Sequence, residues 1–213
     1  MAFKRFLQAA AVAIAFLASA LPASTDPLRI VGFGDSLMAG YGLGPGEAFP
    51  DKLQAALRKK GHDVVIDNAG VSGDTSSGGL ARLEWSVPEG TEIVILELGA
   101  NDMLRGIEPA ITERNLDAMV SRLKERGIAV LLAGMRAAPN LGPEFAESFD
   151  PIYERIAAKH DVALMPFFLD GVAADPRYLL ADGMHPNAAG LDIMVERALP
   201  FVEKLLGETG KAS

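Results

Sequence analysis

The 213-residue chain has three histidines, and only one has a carboxylate at a spacing that suits proton transfer. His185 lies in Asp182-Gly183-Met184-His185-Pro186. In a single tight turn, residues i and i+3 face one another. Asp182 so placed can fix one imidazole tautomer and stabilise the imidazolium formed when the ring takes a proton. The pair also suits a purely local turn contact that caps the last helix. His62, just after Gly61, reads as an exposed turn residue, and His160 as a histidine whose partial positive character suits a helix C-terminus. The three are too far apart in sequence for a helical metal pair, so no metal site is expected.

A base needs a group to activate. Ser36, in Gly34-Asp35-Ser36-Leu37, follows directly on a short apolar run. A serine there opens the next helix at a strand's carboxyl end, with its hydroxyl exposed and its own N–H facing any oxyanion. For an isolated G-D-S-L, an N-cap serine is the more ordinary reading. Two further segments carry hydrogen-bond donors. Asn68-Ala69-Gly70-Val71-Ser72-Gly73-Asp74 offers the unhindered N–H of Gly73, and Gly99-Ala100-Asn101-Asp102 offers the Asn101 amide. Both are also common turn formers. Ser72 rivals Ser36 by position alone. Gly32-x-Gly34 hints at a dinucleotide loop, but Leu37 stands where the third glycine belongs, and no acid ends the second strand at the right distance. The G-x-S-x-G elbow is absent.

The elements that must position these residues alternate. Apolar, β-branched runs at 28–33, 64–66, 93–98, 128–133 and 162–165 read as strands. Helical periodicity covers 49–60 and 111–126, each stopped by a glycine. A proline- and glycine-rich loop, Pro139-Asn140-Leu141-Gly142-Pro143, precedes one helix running to about His160. The closing helix spans 191–206, and Pro200 is expected to kink or split it. Alternation of this kind predicts an α/β fold with right-handed crossovers, a five-stranded parallel sheet and helices on both faces. Ligands bind such sheets at the strands' carboxyl ends, and each candidate segment falls just after a strand.

Bulk properties narrow the field. The length suits one domain. Hydrophobic residues at 49% mark a packed protein, and a formal charge of −8 disfavours nucleic acid as a partner. With no cysteine, thiol catalysis, disulfides and thiolate metal sites are excluded. Lys4 and Arg5 precede an apolar run at 6–17, and Ala18-Ser19-Ala20 supplies a small–x–small cleavage pattern. Residues 1–20 are therefore expected to be a signal peptide, cleaved at the latest after Ala23. Residues 24–213 then form a single domain in the periplasm or the medium, with no stable membrane anchor. The rival, a permanent anchor, meets a run shorter than the roughly 20 apolar residues that span a bilayer.

Taken together, Gly34-Asp35-Ser36-Leu37, Gly73, Gly99-x-Asn101-Asp102 and Asp182-x-x-His185 resemble the four blocks of the SGNH (GDSL) hydrolase superfamily. The neighbouring text, Met38-Ala39-Gly40-Tyr41, Glu97-Leu98, Met103-Leu104-Arg105-Gly106, Pro166-Phe167-Phe168 and Asn187, is similar to the branch of bacterial periplasmic acyl-CoA thioesterases, lysophospholipases and arylesterases. The resemblance implies a flavodoxin-like three-layer α/β/α sandwich. It implies Ser36 as nucleophile, His185 as base and Asp182 as orienting acid. The oxyanion donors would be the Ser36 and Gly73 N–H groups and the Asn101 amide. The implied substrate is a small acyl ester or thioester, with no cofactor; the chain is expected to be a monomer. Ala100 and Met38 depart from the branch's frequent glycine and serine, which touches pocket shape rather than chemistry.

The apolar residues after Asn101, namely Met103, Leu104 and Ile107, are expected to line the acyl site. Leu141 and Phe145, with Phe149, would supply its other wall. Ordinary loop packing is the alternative for both groups. Other readings of the whole chain are a carbohydrate esterase removing acetyl groups and a non-catalytic flavodoxin-like module binding a nucleotide or flavin. Glu97 interrupts an otherwise apolar strand, and a buried acid needs partners.

Overall fold

The apolar runs become strands covered on both faces. In a computed structural model, which describes residues 26–209, β1 (Leu28–Gly34) exposes only Arg29, and β3 (Ile93–Glu97) is buried throughout. With β2 (Val64–Gly70), β4 (Ala129–Ala133) and β5 (Ala163–Met165) they form one parallel sheet in the order β2-β1-β3-β4-β5. This is the flavodoxin order, whose switch point between β1 and β3 opens a crevice at the carboxyl ends. The signal segment expected at 1–20 lies outside the described residues.

Helices cover both faces. On one side α2 (Phe49–Lys59) packs against α8 (Ala188–Glu208). On the other, α3 (Ser76–Ser86), α5 (Pro109–Glu125) and α7 (Ile152–His160) contact one another in turn. Short α1 (Ser36–Ala39) and α4 (Ala100–Leu104) stand directly at the ends of β1 and β3.

The structure departs from the sequence reading in four places, each with a physical cause. β2 runs on to Gly70, beyond the apolar stretch, because it is an edge strand whose polar Asp67 and Asn68 stand on less buried faces while pairing with Val31 and Gly32. α3 escapes detection because Ser-Ser-Gly-Gly is a poor helix former. Its N-terminus is held by Thr75, whose side chain accepts from the Gly78 N–H at 3.2 Å. Gly79 is needed for close approach, since a Cβ there would lie 2.2 Å from Leu98 Cδ1.

The helix expected to reach His160 is two, α6 (Pro143–Phe149) and α7, divided at Pro151. α8 is neither split nor begun at Leu191. The Asn187 side chain accepts from the Ala189 and Gly190 N–H groups, both at 3.0 Å, and starts it a turn early. Pro200 is tolerated because it sits on the exposed side, where water can satisfy the freed carbonyl, while Val195, Ala198 and Val202 anchor the buried face.

Candidate active site

The last residue of β1 is a glycine, Gly34, because the chain there passes against Glu97. A Cβ on Gly34 would come within 2.5 Å of Glu97 Oε2 and 2.6 Å of its carbonyl oxygen. Asp35 follows and caps α1, its Oδ1 accepting from the Leu37 N–H at 3.0 Å. The cap is thus Asp35 and not Ser36, which frees the Ser36 hydroxyl for another partner. That partner is His185, whose Nε2 stands 2.9 Å from Ser36 Oγ.

His185 is held from behind by Asp182. The Nδ1 atom lies 2.7 Å from Asp182 Oδ2, while Oδ1 accepts from the Met184 and His185 N–H groups at 2.9 and 3.0 Å. Those two backbone donors, that of His185 foremost, hold the Asp182 carboxyl down to about 2. An ionised Asp182 accepts from Nδ1–H, so Nε2 is left bare to accept from Ser36. The turn itself is fixed by Leu180, whose N–H donates to the His185 carbonyl at 2.7 Å, and by the Leu179–Pro186 bridge. Tyr41 packs its ring against the imidazole at 4.4 Å between centroids.

The two candidate donors from other segments, Gly73 and Asn101, line the same cavity as Ser36 and His185. The Asn101 amide gives one hydrogen to Asp35 Oδ2 at 2.8 Å, which leaves its second hydrogen to offer elsewhere. Two inner networks brace this region. Buried Arg82 bonds Asp74, the Ala69 carbonyl and the Gly34 carbonyl at 2.7, 2.8 and 2.9 Å, tying the ends of β1 and β2 to the Gly73 loop. Buried Asp102 accepts from the Ser76 N–H at 2.7 Å, from the Ser76 hydroxyl, and from Thr112 at 3.1 Å. Arg105 donates to the Gly73 carbonyl at 2.6 Å. Burial raises Asp35, and it pushes Glu97 well above the usual carboxylate range, with the Asp35 charge adding to the effect.

The cavity holds about 710 Å³ and is mostly apolar. Met103 and Leu104 line it. Ile107, Leu141 and Phe145 do not. Ile107 N–H closes a turn onto the Asp102 carbonyl. Leu141 and Phe145 pack back onto the core, Phe145 stacking on Phe149 at 5.6 Å. The loop contributes Ala137, Ala138 and Pro139 instead, with the Ala138 N–H on Met103 Sδ at 3.1 Å. Sequence reasoning did not place Tyr41, Met135, Phe167, Leu169 and Met184 at the site; they reach the cavity from four separate segments. Met184 stands inside the Asp182–His185 turn, and Tyr41 and Phe167 stand in stretches that carry the family resemblance, whereas Met135 and Leu169 have no such signal. Ser72 also lines the cavity, but His185 Nε2 is bonded to Ser36. His62 and His160 pair with Glu203 and Asp117 away from the cavity.

Comparison with known proteins follows the same outline. Residues 33–193 match the GDSL-like Lipase/Acylhydrolase family. The chain is 40% identical over 185 residues to "Esterase TesA" of Pseudomonas aeruginosa, covering 86% of this chain and 91% of the relative. It is 39% identical over 166 residues to "Thioesterase 1/protease 1/lysophospholipase L1" of Escherichia coli K12, covering 78% of this chain and 77% of that protein. Among solved structures, AlinE4, an SGNH-hydrolase family esterase, superimposes with a TM-score of 0.72. It is 46% identical, over 85% of this chain and 97% of AlinE4.

Proposed function

This chain belongs to the GDSL-like lipase/acylhydrolase family and is an esterase/thioesterase on that scaffold; from that premise we propose that it hydrolyses acyl esters and thioesters through an acyl group carried on Ser36. The observation that carries the assignment of roles is the unbroken Ser36–His185–Asp182 chain of 2.9 and 2.7 Å, whose Ser36 and His185 line an apolar cavity. His185 Nε2 takes the hydroxyl proton as Ser36 Oγ attacks the carbonyl carbon. The tetrahedral oxyanion is received by the Ser36 and Gly73 N–H groups and by the free hydrogen of the Asn101 amide. Collapse expels the alcohol or thiol, which takes its proton from His185. A water that gives a proton to the same nitrogen then releases the acid and restores Ser36. The acyl chain lies against Met103, Leu104, Met135 and Phe167.

A cavity of this apolarity favours acyl chains over the acetyl groups of sugars, which would need polar walls. A serine-directed phosphonate, followed by peptide mapping, tests the nucleophile: labelling falls on Ser36, and Ser36→Ala folds but loses hydrolysis. Labelling at Ser72 would overturn it. A panel of acyl-CoA, p-nitrophenyl ester, lysophospholipid and acetylated-sugar substrates tests the class, with the sugar esters turned over worst. We read residues 1–20 as a cleaved secretion signal and the mature protein, one domain within 24–213, as a monomer of the periplasm or medium. N-terminal sequencing should find Leu21, or Ser24, first. Among the described residues no helix is long and apolar enough to cross a membrane.

A further inference from the structure

Glu97 ends the central strand β3 and is fully buried, bonded to the Asp35 cap of the helix that begins at Ser36. Its Oε2 accepts from the Asp35 N–H at 3.2 Å. Its Oε1 is buried with no donor to satisfy it, and its side chain meets the carboxyl of Asp35, itself fully buried. Two carboxylates in contact away from water cannot both carry a charge. An orphaned acceptor beside a second acceptor becomes a satisfied pair once one proton lies between them.

The surroundings decide which residue holds that proton. Asp35 already receives the Leu37 N–H at 3.0 Å and the Asn101 amide at 2.8 Å, both of which favour its ionised form, and it lines the same cavity as His185. Glu97 receives one backbone N–H. The other polar groups packed near the pair are committed elsewhere. Arg82 from α3 pairs with Asp74, Asp102 from α4 is bonded by Ser76 and Thr112, and the Tyr153 hydroxyl from α7 donates to the Leu98 carbonyl at 2.9 Å.

We propose that Glu97 is a neutral carboxylic acid whose Oε1–H donates to Asp35, and that this acid–carboxylate pair is the positioning device for the Asn101 oxyanion donor. The pair then carries a single negative charge. Asp35 uses it to fix one hydrogen of the Asn101 amide, so that the other is already in place when the carbonyl oxygen becomes charged. The same charge lies where it favours the imidazolium that His185 becomes. Glu97 touches neither substrate nor nucleophile and acts only through Asp35.

The inference rests on Asn101 being an oxyanion donor, and the test separates the two. In wild-type protein labelled with ¹³C at the glutamate carboxyl carbons, one resonance stays at the protonated position through neutral pH, and Glu97→Gln removes it. Glutamine reproduces the acid's pattern, an N–H towards Asp35 and an oxygen for the Asp35 N–H, so kcat falls by no more than about threefold. Glu97→Leu supplies neither group and lowers kcat by about 10- to 100-fold at unchanged KM. Absence of the protonated resonance, or a Glu97→Gln variant as slow as Glu97→Leu, overturns the pair. The resonance is read in wild type, so the test survives a Glu97→Leu chain that does not fold. If the resonance is present but Asn101→Ala turns over normally, the oxyanion reading has failed, and the positioning role falls with it.

Discussion

Ser36, the proposed nucleophile, and the proposed oxyanion donors Gly73 and Asn101 follow the ends of β1, β2 and β3, beside three fully buried acids, Asp35, Glu97 and Asp102. Asp182, by contrast, stands on an exposed turn between β5 and α8, and its bonds to Met184 and His185 stay within that turn. On the proposed mechanism the two halves have different work to do. Oxyanion donors gain most when they need not reorganise as charge develops, which favours a buried network tied to strands. A base must exchange a proton with the nucleophile, then with the leaving group, then with water. A compact turn that fixes the tautomer while leaving the ring at the cavity edge serves that purpose.

If the turn works by tautomer control, Asp182→Asn should be the most damaging single change to it. Asparagine keeps an oxygen for the Met184 and His185 N–H groups but presents N–H to Nδ1 and reverses the tautomer. Turnover should fall by on the order of 10³–10⁴, with KM and circular dichroism little altered. A loss of less than tenfold would reduce the pair to a local turn contact. Titration adds a sign. Backbone donors lower Asp182 to about 2, so the stability it lends is complete above the ordinary aspartate value near 4 and is lost as pH falls through about 2. The melting-temperature gap between wild type and Asp182→Asn should therefore close across that acid window and stay constant above it.

The buried half should break differently. If Asn101 is an oxyanion donor, its bond strengthens only in the transition state, so Asn101→Ala should lower kcat by on the order of 10²–10³, about 3–4 kcal/mol, at similar KM. Asn101→Asp should be worse, since it sets a further carboxylate beside Asp35 and beside the developing oxyanion. If Asn101 only shapes a turn, aspartate would be the gentler change, and both variants would lose melting temperature and not turnover. Measuring kcat and melting temperature for the two variants decides between these outcomes.

The same contrast explains what could be read from the sequence. The sheet was legible because parallel strands covered on both faces spell continuous apolar runs, as β1 and β3 do. The polar end of edge strand β2 and the glycine-bearing α3 were not, because tertiary pairing and the Thr75 cap hold them against their own propensities. Residues of the site that occur in short motifs, Ser36, Asn101 and the Asp182–His185 turn, were legible as candidates. The cavity wall was not, since Tyr41, Met135, Phe167 and Leu169 converge from segments that have no common spacing. Adjacency to Asn101 was a fair guide to Met103 and Leu104 and a poor one to Ile107, where the chain has already turned away.

That last difference gives the smallest and most discriminating expectation. Leu104 is 56% exposed at the cavity mouth, on the short helix that carries Asn101, whereas Ile107, three residues on, is half-buried and off the cavity. Leu104→Trp adds bulk where an acyl chain would pass. Each methylene excluded from an apolar pocket is worth roughly 1 kcal/mol, so kcat/KM should shift several-fold towards shorter p-nitrophenyl esters. The acetate ester, which need not reach the wall, should keep its rate. Ile107→Trp should leave the whole chain-length profile as in wild type, with any cost read as a lower melting temperature. A profile moved by Ile107→Trp and untouched by Leu104→Trp would place the acyl chain on the other side of α4.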